Sequence, residues 1–287
     1  MPILPKVFIL LICSHIFNLT AQAGGWPQPK GSYYFKISEW WIVSDQHFNN
    51  QGQIEANLVQ YGYYATSLYG EYGFSNRLTG LVHFPFLNYT YTQLPSTLQK
   101  QSIWRTGDAD IGIKYGLNFN KPIAWSASLI LGFPLGYNEG DALMTGDGEF
   151  NQALRLEGSG GFRLKKNEGW AGVYTGYNRR SGDFTDEMIF GVEAGINTSN
   201  DRLTFTIRLD GIKAIGNDPN ATSVNPQSLF SNYKEYLGLS PEIALHMSPS
   251  WGITIGAGTA FYGKNIFASP SFAVGVFHKK GTVPVER

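Results

Sequence analysis

The chain is short of charge, of cysteine and of long apolar runs. Asp, Glu, Lys and Arg make up 15% of its 287 residues, against about 25% in an ordinary soluble domain. Basic and acidic residues balance at 22 each, so there is no basic footprint for nucleic acid. A single cysteine, Cys13, excludes a disulfide-stapled scaffold. Beyond residue 23 no apolar run approaches the roughly 18 residues that a membrane-spanning helix needs. No stretch keeps a 3.6-residue period, so no helix is expected in the mature chain. What the sequence has in excess is glycine, 34 residues, and aromatics, 15%. Little charge, much glycine and many rings, without a spanning helix, fit a transmembrane β-barrel better than a soluble domain.

The first residues look like an export leader. Lys6 precedes an apolar stretch over 7–19, and Ala21-Gln22-Ala23 offers a small-x-small cleavage site. The stretch is too short to span a bilayer. The expected organisation is a signal peptide over 1–23 and one barrel over 24–287. Cys13 falls inside the leader, and Ile12 before it is not the small residue a lipid-attachment site wants.

Residues 186–216 set the pattern for the rest. Phe190, Val192, Ala194 and Ile196 alternate with Gly191, Glu193, Gly195 and Asn197. Leu203, Phe205, Ile207 and Leu209 then alternate with Thr204, Thr206, Arg208 and Asp210. A period of two puts one set on each face of a sheet. With Ser199 and Asn200 closing the turn, Ile196 would face Leu203, Val192 would face Ile207, and Glu193 would sit diagonal to Arg208. One face is hydrocarbon and the other is polar and glycine-rich. In a barrel in lipid the greasy stripe turns outward.

Twelve strands are expected, over 32–43, 57–74, 78–87, 108–118, 123–136, 151–164, 169–180, 187–198, 202–215, 234–247, 251–264 and 267–279. Alternation recurs in most of them; the first two and the seventh are less regular. The even-numbered connections, such as 75–77 and 165–168, are short and made of turn residues. The odd ones, over 44–56, 88–107, 137–150, 181–186 and 216–233, are mostly longer; the last, 265–266, is short and breaks the pattern. Short-long alternation is the mark of a barrel with one periplasmic and one outer end. Rings gather near strand ends: Tyr33, Tyr34, Trp40, Trp41, Tyr72, Phe74, Phe84, Phe86, Trp104, Trp125, Trp170, Trp251 and Phe277. They are expected to form interfacial girdles.

Two segments carry a family likeness. Tyr69-Gly70-Glu71-Tyr72-Gly73-Phe74-Ser75-Asn76-Arg77-Leu78, followed by Pro85, is one. Gly107-Asp108-Ala109-Asp110-Ile111-Gly112-Ile113-Lys114-Tyr115 is the other. Together they resemble a bacterial family of outer-membrane barrels described as transporters of the phenol meta-degradation pathway type. The resemblance implies a transport or channel role and supplies no catalytic residue.

The polar faces yield the candidate site. Glu71, Lys114, Arg155, Glu157, Arg163, Glu193, Arg208, Asp210 and Glu242 share the non-greasy parity. A charge facing lipid costs about 2–4 kcal/mol for Arg or Lys near the midplane, so these nine are expected to line the lumen. They either select a small polar or charged solute or pair with one another and plug a narrow bore. Three other constellations are weak. His246 and Ser248 lack a third group to orient the imidazole. Asp45 and His47 supply only two metal ligands on an expected loop. Gly158-Ser159-Gly160-Gly161 lacks the helix of a phosphate loop. The sequence therefore reads as an all-β, single, antiparallel up-and-down barrel of about twelve strands in the outer membrane. Its expected role is to pass a small polar or aromatic solute of unknown identity. The alternatives are a plugged structural or ligand-binding barrel acting through its loops, and a lipid hydrolase. No catalytic residue, cofactor or metal is assigned. The expected partners are membrane lipid and the solute, not nucleic acid.

Overall fold

The computed structural model describes residues 24–94, 96–97, 99–118, 121–139, 143–182, 184–198, 202–216 and 229–281. The expected leader, Cys13 and the Ser199-Asn200 turn lie outside them, as does most of 216–233. Among the described residues there is no helix. The strands are β1 (Tyr33–Phe48), β2 (Ile54–Gly73), β3 (Leu78–Gln93), β4 (Lys100–Arg105), β5 (Ala109–Gly116), β6 (Ile123–Phe133) and β7 (Asn151–Leu164). They continue with β8 (Asn167–Arg180), β9 (Asp186–Asn197), β10 (Leu203–Ile215), β11 (Glu235–His246), β12 (Trp251–Lys264), β13 (Ile266–Phe267) and β14 (Ser271–Lys280).

Each strand pairs antiparallel with its neighbours, and β1 closes the ring by pairing with both β2 and β14. The short β4 and β13 extend the staves of β5 and β14, since β3 pairs with β4 above and β5 below, and β1 pairs with β13 and β14. The result is a closed barrel of twelve staves. Closure leaves no open edge, which hydrocarbon would not tolerate.

The outer surface is apolar because every second residue is. Ile111, Ile113 and Tyr115 of β5, and Val192, Phe205 and Ile207 of β9–β10, are exposed. Gly112 and Lys114 between the first three, and Gly116 after them, are buried. Glu39 is an exception: it shares its parity with exposed Phe35 and Ile37, and its carboxylate accepts a 2.5 Å hydrogen bond from the Thr66 hydroxyl.

Three expectations need correction. The β9–β10 register is shifted by two residues, so Ile196 opposes Phe205, Val192 opposes Leu209, and Glu193 stands directly opposite Arg208. The turn is wider than two residues, closing with the Thr198 amide on the Leu203 carbonyl at 2.8 Å. Segments 44–56 and 88–107 are largely strand. β1 runs to Phe48, β2 begins at Ile54, and β3 and β4 form a hairpin. Above the bilayer a strand has no need of an apolar outer face, so a polar sequence there does not mean a loop. The girdle loses members too. Tyr72, Phe74, Trp125 and Trp251 are exposed near the short-turn end, but Tyr34, Trp40 and Phe277 are buried inside the barrel. Trp170 also points inward, donating to Glu193 at 3.3 Å.

Candidate functional site: the charged bore

The bore is filled at two levels with a cavity between the walls of the upper one. Residues two apart on a strand share a face, and opposite residues on neighbouring strands stand side by side. Lys114, Arg155 and Glu157 are brought together this way from β5 and β7, across Ser128 of β6.

At the short-turn level Lys114 lies 3.4 Å from Glu157, and Arg155 lies 3.6 Å from the same carboxylate. The Ser128 hydroxyl donates to Glu157 at 2.9 Å. Arg155 also stacks its guanidinium over Tyr174 at 4.3 Å. Lys36 of β1 reaches Glu242 of β11 at 2.5 Å. Glu71 accepts hydrogen bonds from Tyr69 and Gln28. Higher up, Arg208 donates through Nε to Glu193 at 2.8 Å, and Tyr236 stands 3.5 Å from Asp210. Eight of the nine expected residues thus lie inside the barrel. Arg163 does not. It is exposed at the β7–β8 turn, where it pairs with the equally exposed Glu168 at 2.6 Å. Its parity is right, but the strand has already left the bore.

The long-loop level holds residues outside that set. Arg180 donates to Asp147 and to Glu187, each at 2.9 Å, and Lys234 stands 3.8 Å from Glu187. Asp108 accepts from the Gly136 and Asp147 amides at 2.8 and 2.7 Å. Parity with Glu193 was available for Glu187, and parity with Glu242 in the expected strand 234–247 for Lys234, which stands just before β11; nothing periodic points to Asp147, which comes from a loop. Burial, and then the Asp147 charge, push the Asp108 carboxyl up to about 7. Burial works to raise Asp147 as well, but the Arg180 and Lys234 charges outweigh it and hold Asp147 below the ordinary carboxylate range.

Between these groups lies a cavity of about 260 Å³. Trp40, Tyr63, Ile130, Ile189 and Phe230 supply apolar lining. Arg155, Arg180, Asp108, Asp210 and Lys234 supply charge. Asn151 and Asn178 also line it, and each has a buried side-chain oxygen without a hydrogen-bond partner; the Arg155 Nε faces the Glu157 carboxylate at 3.6 Å, too far for a hydrogen bond. Buried polar atoms left unpaired cost about 1–3 kcal/mol each, so the pocket favours an occupant that can hydrogen-bond to them.

The chain itself enters the short-turn end. Residues 24–31 run along the inner wall. The Gly25 amide donates to Ser159 at 2.9 Å, and the Gln28 amide to Thr79 at 2.7 Å. The Gln28 side chain donates to Glu71 at 2.9 Å, and Lys114 donates to the Gly24 carbonyl at 3.1 Å.

The weaker constellations separate in space. His246 Nε2 lies 2.9 Å from the Thr204 hydroxyl, while Ser248 accepts from the Ser250 and Trp251 amides at 3.3 and 3.0 Å and caps its turn. His47 sits in β1 rather than a loop, with Nδ1 2.6 Å from the Asn57 side-chain oxygen. The glycine run 158–161 is inside β7.

No protein-family model and no curated protein matches the sequence. Among solved structures, an outer-membrane channel from Pseudomonas putida F1 is similar, with a TM-score of 0.59 and 15% identity over 89% of this chain and 97% of that one. The KdgM porin, solved in complex with disordered oligogalacturonate, has a TM-score of 0.46 and 9% identity over 86% of this chain and 99% of that one. At such identity the first likeness carries the fold alone: a closed outer-membrane β-barrel.

Proposed function

We propose that this outer-membrane barrel is a channel for a small solute with both an apolar body and hydrogen-bonding groups, which rests in the central cavity on its way through. The observation that carries this reading is the cavity itself. It brings aromatic and charged side chains together inside the bore, and it leaves Asn151 and Asn178 with unpartnered side-chain oxygens. A barrel whose interior served packing alone would gain by filling that space. Arg155, Arg208 and Asp210 of the expected lumen set line the cavity; Glu71, Lys114 and Glu157 lie below it. In this reading they order the polar path toward the periplasm. The channel role is the one that the two sequence motifs imply by resemblance.

The closed lower level favours one rival, a plugged barrel that binds a ligand through its outer loops. Liposome swelling separates the two. Vesicles carrying the protein are expected to admit small hydroxylated aromatics faster than sugars of equal size. Swelling no faster than in protein-free vesicles for every solute would leave the plugged reading in place.

A further inference from the structure

We propose that residues 24–31 form a displaceable plug, and that their departure from the short-turn mouth opens the bore. The proposal rests on the channel reading above. The segment follows the inner wall past five consecutive staves. The Gly31 amide bonds to the Gly73 carbonyl of β2, and Gln28 is held by Thr79 of β3. Pro27 lies against Gly116 of β5, leaving no space there for a side chain. Gly25 presses on β6 so closely that a Cβ would meet the Ala124 carbonyl oxygen at 2.3 Å, and its amide is on Ser159 of β7. The other half of the mouth is closed by fixed side chains. Tyr34 stacks on Phe277 at 5.7 Å, His246 meets Phe277 edge-on at 5.3 Å, and Lys36 pairs with Glu242.

The two halves differ in how they are held. The fixed half projects from paired strands, so it moves only if the barrel does. The strap is held by a few hydrogen bonds and joins no ladder. Pro27 and Pro29 have no amide proton, so the strap cannot zip onto an edge as another strand. Gly31, with φ of +75° and open space where a side chain would be, sits in a turn at its root, tied by its amide to Gly73 and by the Ser32 amide to Pro29. It is the position where the backbone can swing once the Gly73 bond breaks. The wall groups it leaves behind keep other partners. Lys114 retains Glu157, and Glu71 retains Tyr69; water entering the bore replaces the rest. Leaving is therefore cheap on the wall side, which is what a gate requires.

The test compares the parent with a chain lacking residues 25–30, each exported behind its own leader and reconstituted in planar bilayers. A several-fold rise in single-channel conductance on deletion is expected. Equal conductance in the two chains overturns the strap as the barrier. If that shared level is above baseline, the channel reading survives alone; if both are silent, both readings fall. A full-length second variant guards against misfolding. Gln28→Cys with Thr79→Cys places a bond across the strap contact in a chain whose only other cysteine is Cys13. With the disulfide formed, openings should be lost, and reductant should restore them. Openings that ignore the bond overturn the proposal.

Discussion

The two ends of the bore are closed by different physics. At the long-loop end a buried network does the work: Arg180 bridges Asp147 from a loop and Glu187 from β9, with Lys234 alongside. At the short-turn end half of the closure is a strap on a glycine hinge. A network of buried charges is hard to open, because each ion left behind keeps its desolvation cost. The strap gives up about 0.5–1.5 kcal/mol for each neutral hydrogen bond and about 1.5–3 kcal/mol for each of the two to charged groups, Gln28 to Glu71 and Lys114 to Gly24. Both wall charges keep another partner when it leaves. Under the proposed gate, the labile barrier is the short-turn mouth and the rigid one the long-loop mouth.

The contrast can be broken by substitution. Arg180→Ala is expected to have the largest effect, about 3–5 kcal/mol, since it strands two buried carboxylates. It should appear as a marked fall in the unfolding temperature of the detergent-solubilised barrel. A change as small as that of an exposed residue would mean the outer end is not held by this network. Lys114→Met strikes the other end. Arg155 remains beside Glu157, so the loss should be smaller, about 1–3 kcal/mol, and conductance should rise as the Gly24 carbonyl loses its donor. A loss exceeding that of Arg180→Ala would reverse the ranking of the two ends.

Asp108→Asn sharpens the account of the outer end through pH. The carboxyl titrates at about 7 in the fold and near 3.8 in the unfolded chain. The fold thus holds a proton that the unfolded chain has lost, and stability falls as pH rises between those values. The asparagine variant should unfold at a higher temperature than the parent at pH 8 and at the same temperature near pH 4. An equal difference at both pH values would remove the titration argument. Arg163→Ala is the smallest. The Arg163–Glu168 pair is exposed, so the unfolding temperature should move by no more than about 1 kcal/mol would produce.

Legibility followed periodicity. In β5 the alternation of Ile111, Ile113 and Tyr115 with Gly112 and Lys114 gave both faces correctly. In β9–β10 the faces were legible and the register was not. A slip of two residues leaves every side chain on its own face, so the pattern is blind to it; only the width of the turn set Glu193 opposite Arg208. Aromatic residues misled, because Tyr34, Trp40 and Phe277 serve as filling inside the bore as readily as rings do at the lipid interface. Asp147, the loop-borne member of the outer network, and the strap residues Gly25 and Gln28 carry no period at all; Lys234, at the start of the expected strand 234–247, shares the parity of Glu242 and was missed.

The sequence by itself determined that the chain is a barrel, which face of each strand meets lipid, and which charges are turned away from it. Those facts depend on local alternation and on the cost of a charge in hydrocarbon, and both can be read one strand at a time. Tertiary structure alone decided what fills the bore. Closing the sheet brings residues far apart in the chain, such as Gly25 and Ser159 or Asp147 and Arg180, within hydrogen-bonding distance. Curvature makes those contacts, and no pattern along the chain encodes them.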